Sequence, residues 1–207
     1  MEKTSRLISA IFNPLLIPTY TIAIVMTTTL LCIVTPGTKF GVIGMIFLIT
    51  AFIPALSIFV LYKLKIVTDS GLNERKERFI PYLITALCYV GAAFYLSSIH
   101  APVWLIMFMV GATTATAICT IVSLWWKISA HATSVAGMAT FIFYLIYYQL
   151  NVLNISWLLY AAILIAGVVE TTRLILNRHT LGQLLAGTLN GVICVALAMT
   201  IGMHLAY

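Results

Sequence analysis

The chain has 207 residues, of which 62% are hydrophobic and only 8% are charged. A soluble domain carries about 25% charged residues, because its surface faces water. The composition therefore excludes a soluble enzyme, a disordered chain and, in spite of the net charge of +6, a nucleic-acid-binding protein. It predicts an integral membrane protein.

Long apolar stretches recur along the whole chain. A helix needs about 20 apolar residues to cross the hydrocarbon core of a bilayer. Stretches of this kind predict spans over residues 8–34, 40–62, 79–98, 102–124, 131–150, 155–174 and 182–205. Asn13, Pro14 and Pro18 interrupt the first span, so we expect a kinked or interfacial start there. The predicted fold is all-α: one membrane domain over residues 1–207, built as an antiparallel bundle of six to seven transmembrane helices.

The charged residues fall on one side of these spans. Alternating spans bring four segments, 1–7, 63–78, 125–130 and 175–181, to the same end of the bundle, which we name the basic end. Every charged side chain except Lys39 lies in these segments or in the span ends that adjoin them. Since Lys and Arg are in excess there, the positive-inside rule predicts that the basic end and the N-terminus are cytoplasmic.

Two histidines, His131 and His179, stand at the starts of predicted spans at the basic end, each after polar residues. The first N–H groups of a helix lack backbone partners and attract anions. Histidine acts as a nucleophile or a proton donor near neutral pH, and arginine neutralises phosphoryl oxygens. The pattern predicts a phosphate site. An alternative also stays open, in which the arginines bind lipid headgroups and the histidines are structural.

Two short patterns carry a resemblance to a known family. Arg173 is followed, after five residues, by His179, and Ser129 lies two residues before His131. Over residues 60–190 these patterns resemble, in order and spacing, the type 2 phosphatidic acid phosphatase superfamily. Its second motif reads Pro-Ser-Gly-His, and its third reads Ser-Arg-x5-His-x3-Asp.

The resemblance implies a role for each matched residue. His179 would attack phosphorus and form a phosphohistidine, and His131 would protonate the leaving oxygen. Phosphate contacts would come from Arg173 and Ser129. The resemblance also implies an antiparallel core of six spans that needs no metal. Glu170 lies three residues before Arg173, a spacing at which we expect an ion pair.

The chain departs from each of the superfamily's three motifs. In the second motif it has Ile128 and Ala130 in place of Pro and Gly. It has Gln183 where the third motif ends in Asp. An amide oxygen still accepts an imidazole N–H, so Gln183 is expected to orient His179, although without a charge. The first motif, Lys-x6-Arg-Pro, is replaced by Arg75 and Arg78 ahead of Pro81. We extend a phosphate-binding role to these two arginines.

Together these features predict a metal-independent membrane phosphatase without a cofactor. Its partners would be a phosphorylated lipid substrate and the surrounding membrane lipids, and the resemblance implies a bacterial inner membrane. One alternative is a degenerate relative that binds or transports phosphorylated lipid without hydrolysis. Another is a small transporter, which the absence of charges from the middle of the spans disfavours. The lipid and the oligomeric state stay open.

Overall fold

The computed structural model describes residues 2–69, 71–72 and 74–206. Within these residues it is all-α, with eight helices and no strand. The helices are α1 Glu2–Ile11, α2 Ile17–Thr28, α3 Pro36–Lys63, α4 Phe79–Ser98, α5 Val103–Val122, α6 Ala130–Tyr147, α7 Ser156–Ile175 and α8 Leu181–Ala206. Six of them, α3 to α8, are long and apolar enough to cross a membrane. The predicted polytopic helix bundle is confirmed.

The first predicted span is divided in the structure. The side chain of Asn13 accepts a hydrogen bond from the backbone N–H of Leu15, and this turn separates α1 from α2. Proline is favoured in the first turn of a helix, where Pro18 stands in α2. The 12 residues of α2 extend only about 18 Å, which is shorter than a full span. The expected interruption is therefore a complete break, and α1 is a helix of its own.

The loops of the predicted basic end do meet at one end of the bundle. Arg75 lies in a single 3-10 turn before α4 and donates to the carbonyl oxygen of Leu124, which follows α5. Arg78 in the same turn donates to the carbonyl oxygen of Ile128, just before α6. At the opposite end, the residue after α2, Thr29, pairs with Asn151 between α6 and α7. These contacts agree with helices that traverse the bundle in alternate directions.

Small residues bring the starts of α6 and α8 together. A Cβ atom added at Gly187 would lie 2.6 Å from the carbonyl oxygen of Ser129, and one added at Gly191 would overlap the backbone of Thr133. Glycine permits this close approach of two helices because it has no side chain. The helix starts at which the two candidate histidines stand are thereby placed side by side.

Candidate active site

A cavity of about 470 Å³ lies at the basic end, and each of the helices α1 to α8 contributes at least one residue to its lining. Its lining includes four of the seven residues that the sequence analysis named: Arg78, His131, Arg173 and His179. Each comes from a different segment, namely the turn before α4, the first turn of α6, the last turn of α7 and the loop before α8. The fold thus brings together residues that are about 100 positions apart in the chain.

Arg78 is the most firmly anchored of these cations. Its side chain is 3% exposed. The guanidinium donates to the carbonyl oxygens of Leu72 at 2.8 Å and Ile128 at 3.0 Å, and it lies 5.9 Å from the ring centre of Tyr82. A guanidinium has five N–H donors, so these two bonds leave donors for a ligand in the cavity.

Arg173 is only partly satisfied. Its Nη1 donates to the hydroxyl of Ser9 at 3.4 Å, while its Nε is buried and has no hydrogen-bond partner among the described residues. The ion pair expected with Glu170 is not formed, because the Glu170 carboxylate accepts instead from the Thr188 hydroxyl at 2.6 Å. A buried donor of a charged group without an acceptor is unfavourable, so this nitrogen indicates a place for an anion.

Gln183 fixes the tautomer of His179. The Gln183 Oε1 atom accepts from the backbone N–H of Thr180 at 3.3 Å and lies 3.1 Å from Nδ1 of His179. Since a backbone amide can only donate, the atom facing it is the amide oxygen, and Nδ1 of His179 must carry the proton. The Nε2 atom of His179 is therefore left with its lone pair.

The pKa of His179 favours the same neutral form. His179 lies in the loop between α7 and α8 and is 8% exposed. Burial, followed by the positive charges of Arg78 and Arg173, lowers its pKa to about 3, although the bond to Gln183 acts in the opposite direction. At neutral pH this histidine is uncharged, and an uncharged imidazole has the lone pair that a nitrogen nucleophile requires.

His131 has the complementary arrangement. Its Nε2 atom lies 3.2 Å from the carbonyl oxygen of Ser9. A carbonyl oxygen only accepts, so Nε2 of His131 carries the proton and donates it. One histidine of the cavity therefore offers a lone pair and the other offers a proton, which are the two groups that transfer of a phosphoryl group requires.

Three of the named residues lie outside the cavity lining. Gln183 acts on the cavity through His179. The hydroxyl of Ser129 accepts from the backbone N–H of Ala132 at 3.3 Å and so caps the start of α6. Arg75 is hydrogen-bonded at 2.9 Å to the carbonyl of Leu124, at the end of α5. The structure does not bring the Ser129 hydroxyl or Arg75 into the cavity.

Other residues of the cavity were not found from the sequence. Ser9 and Arg178 line it, the first from α1 and the second from the loop before α8. Lys127 lies near the cavity. Burial lowers its pKa most, the positive charge of Arg78 lowers it further, and Glu74 acts in the opposite direction. The charge of Arg178 and Lys127 was visible in the sequence. Serines four residues apart in α1, at 5 and 9, were the only available signal for Ser9.

The cavity changes character with depth. Beyond the arginines and histidines it is lined by Tyr89, Phe108, Met138 and Val195, which belong to the interior of α4, α5, α6 and α8. Among the described residues no group of three His, Cys, Asp or Glu side chains is placed to hold a metal ion. The site therefore combines a cationic mouth with an apolar interior.

Comparison of the chain with protein-family models, with curated proteins and with solved structures found no match in any of the three.

Proposed function

We propose that the chain is a membrane-embedded phosphatase that hydrolyses a lipid phosphate or pyrophosphate monoester through a phosphohistidine intermediate. The observation that carries the proposal is the pairing, in one cavity, of a lone pair on His179 with the buried and unpartnered Nε of Arg173. A nucleophile beside an unsatisfied cation suits a phosphoryl group, which is both an electrophile and an anion.

The first step would transfer the phosphoryl group to the protein. The lone pair of His179 Nε2 attacks phosphorus, and the P–O bond to the rest of the lipid breaks. His131 takes up a second proton, on Nδ1, when the phosphate dianion binds beside it. The leaving oxygen then takes the Nε2 proton of this imidazolium, which becomes neutral, and the product is a lipid alcohol from a monophosphate or a lipid monophosphate from a pyrophosphate. Arg78 and Arg173 neutralise the charge of the phosphoryl oxygens. This stabilisation is strong because the site is largely shielded from water.

The second step would release phosphate. A water molecule attacks phosphorus, the P–N bond breaks, and inorganic phosphate leaves. The water gives one proton to Nε2 of neutral His131, which restores the imidazolium, and its other proton stays on the released phosphate. Through both steps Nδ1–H of His179 stays hydrogen-bonded to Gln183, so the imidazolium of the intermediate is oriented by an amide dipole but is not paired with a carboxylate.

The shape of the cavity supports a lipid as the substrate. A phosphorylated lipid has an anionic headgroup and an apolar chain, in the same order as the cationic mouth and the apolar interior of the cavity. Buried apolar side chains, which include Phe108, Met138 and Val195, offer contacts to the hydrocarbon part of a lipid that a water-soluble phosphate ester would not use.

The proposal also includes the membrane and the side at which the reaction occurs. The excess of Lys and Arg in the segments of the basic end favours the cytoplasmic face of a bacterial inner membrane. An enzymatic reporter that is active only in the cytoplasm, fused after Tyr207, should be inactive. Activity of this reporter would reverse the orientation.

A second candidate function is binding or transport of phosphorylated lipid without hydrolysis. The observation that favours it is the neutral partner of His179, since Gln183 supplies no negative charge to the phosphohistidine. In a serine protease triad the exchange of the carboxylate for an amide lowers the rate by about 10⁴.

One experiment separates the two functions. Phosphate release by the detergent-purified chain is measured with a panel of lipid monophosphates and pyrophosphates, and binding of the same lipids is measured in parallel. We expect release that His179→Ala lowers by at least about 10³ and that orthovanadate inhibits. His204→Ala, at the exposed end of α8, is the matched control. Equal release by His179→Ala and the unaltered chain would refute the phosphatase, and binding without release would support the second function.

A further inference from the structure

The first helix has an inverted polarity. Ser5 and Ser9 of α1 are buried, whereas Leu7 is 61% exposed and Ile11 is 46% exposed. In a helix that faces water the apolar side chains are the buried ones. The outer face of the second half of α1 therefore suits lipid, whereas Glu2, Lys3 and Arg6 in its first half are exposed and charged. Ser5 and Ser9 lie against the protein, where α1 packs mainly on α7.

Ser9 places this polar face directly on the candidate active site. Its hydroxyl is 3.1 Å from that of Thr172 and accepts from Nη1 of Arg173 at 3.4 Å. Its carbonyl oxygen accepts from Nε2 of His131 at 3.2 Å. A single residue of α1 thus engages both the phosphate-binding arginine and the proton-donating histidine of the proposed reaction.

These contacts conflict with the binding of a phosphate group. Nε2 of His131 carries one proton, which it cannot donate fully to Ser9 and to the leaving oxygen of the substrate at the same time. At Arg173 the Ser9 hydroxyl takes one of the five guanidinium donors, and a phosphoryl oxygen at the unpartnered Nε would lie beside it. Ser9 and the headgroup therefore compete for the proton of His131 and are neighbours at Arg173.

We propose that α1 is a displaceable cover of the candidate active site, held closed by Ser9 and opened when a phosphorylated headgroup takes over the Nε2 donor of His131 and binds at Arg173. This inference rests on the proposed function, because it needs a phosphate group in the cavity. The apolar outer face keeps the opened helix in the lipid next to the cavity. Binding of phosphate and docking of α1 are reciprocal, so a change that weakens docking strengthens phosphate binding.

Thr172→Val tests the cover without altering the cavity lining. Thr172 contacts Ser9 but does not line the cavity, and valine has the same shape without the hydroxyl. Thr171→Val is the matched control, since Thr171 is exposed on the same helix and its hydroxyl bonds only to the carbonyl of Gly167. Ser9→Ala, which keeps the backbone carbonyl, is a second variant on α1 itself.

The probe is inorganic phosphate, titrated into the full purified chain by calorimetry. We expect Thr172→Val and Ser9→Ala to bind phosphate about fivefold more tightly than the unaltered chain, in line with the loss of one hydrogen bond that holds the cover closed. Thr171→Val should bind as the unaltered chain does. Saturating phosphate should also accelerate hydrogen exchange of the backbone amides of α1 and leave those of α6 unchanged.

The outcomes distinguish the cover from the phosphatase. If phosphate binds but both variants match Thr171→Val, or if phosphate slows exchange in α1, then α1 is a fixed wall and the cover is refuted while the phosphatase stands. If no phosphate binds to the unaltered chain or to any variant, the proposed function fails and the cover fails with it. Should Thr172→Val not fold, the result for Ser9→Ala decides the question.

Discussion

In the described part of the chain, both ends of the bundle contain a cavity and a buried polar atom without a hydrogen-bond partner, but different side chains surround that atom. Each end has a cavity, of about 470 Å³ at the basic end and about 280 Å³ at the opposite end. Each also has a buried polar atom without a partner among the described residues, Nε of Arg173 at one end and Oδ1 of Asn151 at the other. A cavity with an orphaned polar atom is therefore not enough to mark a site.

The difference lies in the side chains that surround the orphaned atom. The residues that line the second cavity include Trp104, Tyr148 and Asn151, and in the described part of the chain none of them is charged or a histidine. At the basic end two histidines in opposite tautomers face two arginines. Convergence of a nucleophile, a proton donor and cations distinguishes a candidate active site from a polar gap in the packing.

The largest expected effect is the difference in phosphate release between two substitutions, each of which removes a cation that donates to backbone carbonyls. Arg78 donates to Leu72 and Ile128 at the basic end, and Lys39 donates to Cys32 at the opposite end. We expect Arg78→Ala to lower phosphate release from the best lipid substrate by about 10² or more, because the positive charge that neutralises the phosphoryl oxygens is lost. Lys39→Ala should leave it unchanged.

Arg75→Ala sharpens this comparison within the basic end. Arg75 caps the end of α5 outside the cavity, so its loss should lower release less than threefold. A tenfold loss with Arg75→Ala, or a rate with Arg78→Ala within threefold of the unaltered chain, would show that the cavity is not where phosphate is held.

An intermediate effect is expected from restoring a charge beside the nucleophile. Gln183→Glu keeps the length of the side chain and its bond to the backbone N–H of Thr180, and it adds a carboxylate next to Nδ1 of His179. We expect about tenfold faster phosphate release, because the carboxylate stabilises the imidazolium of the intermediate. The acid limb of the pH–rate profile should also move to higher pH, since a negative neighbour raises the pKa of His179.

The contrary result would be equally informative. If Gln183→Glu leaves both the rate and the acid limb unchanged while its thermal stability is normal, formation of the imidazolium does not limit the reaction. Gln183→Leu serves as the control, because it removes the bond to His179 without adding charge.

The smallest expected effect concerns stability and pH. The pKa of His179 is lowered to about 3 in the folded chain, against about 6.5 for a free histidine, so below pH 6.5 the unfolded chain binds a proton that the folded chain does not. Stability should therefore fall as the pH is lowered from 7 to 5, by about 2 kcal/mol from this group. The thermal midpoint of the detergent-purified chain measures it.

The two ends again provide the control for this measurement. His179→Asn should remove this contribution and so weaken the pH dependence of the thermal midpoint, whereas His204→Asn, at the opposite and exposed end, should keep it. A pH dependence that is the same in His179→Asn as in the unaltered chain would show that folding does not lower the pKa of this histidine.

Much of the fold was predictable because it depends on the composition of each segment alone. The apolar stretches predicted six of the long helices, and α1 and α2 were joined in the prediction because both are apolar on average. Their separation depends on Asn13, whose side chain forms the turn, and on Pro14. The sequence showed that the start of the first span is interrupted, but it did not show that a polar face of α1 has a place to dock.

The residues of the candidate site divide in a similar way. His131, His179, Arg78 and Arg173 were named from the sequence and line the cavity, whereas Ser129 was named with them and is a helix cap. Serine before a helix is suited to either role, and the direction of its hydroxyl is set by the neighbouring backbone amide. Motif spacing places a residue in a segment, but it does not decide which way its side chain points.

The sequence by itself determined that this chain is an all-α membrane protein whose charges gather at one end, because hydrophobicity and charge are properties of each segment. Only the tertiary structure decided that Arg173 has no carboxylate partner in Glu170 and that Ser9 lies on His131. These contacts join different helices, and they depend on the depth to which α8 and α1 pack against the bundle. Glycines at 187 and 191 allow α8 to pack that closely, so the chemistry of the cavity depends on residues that carry none themselves.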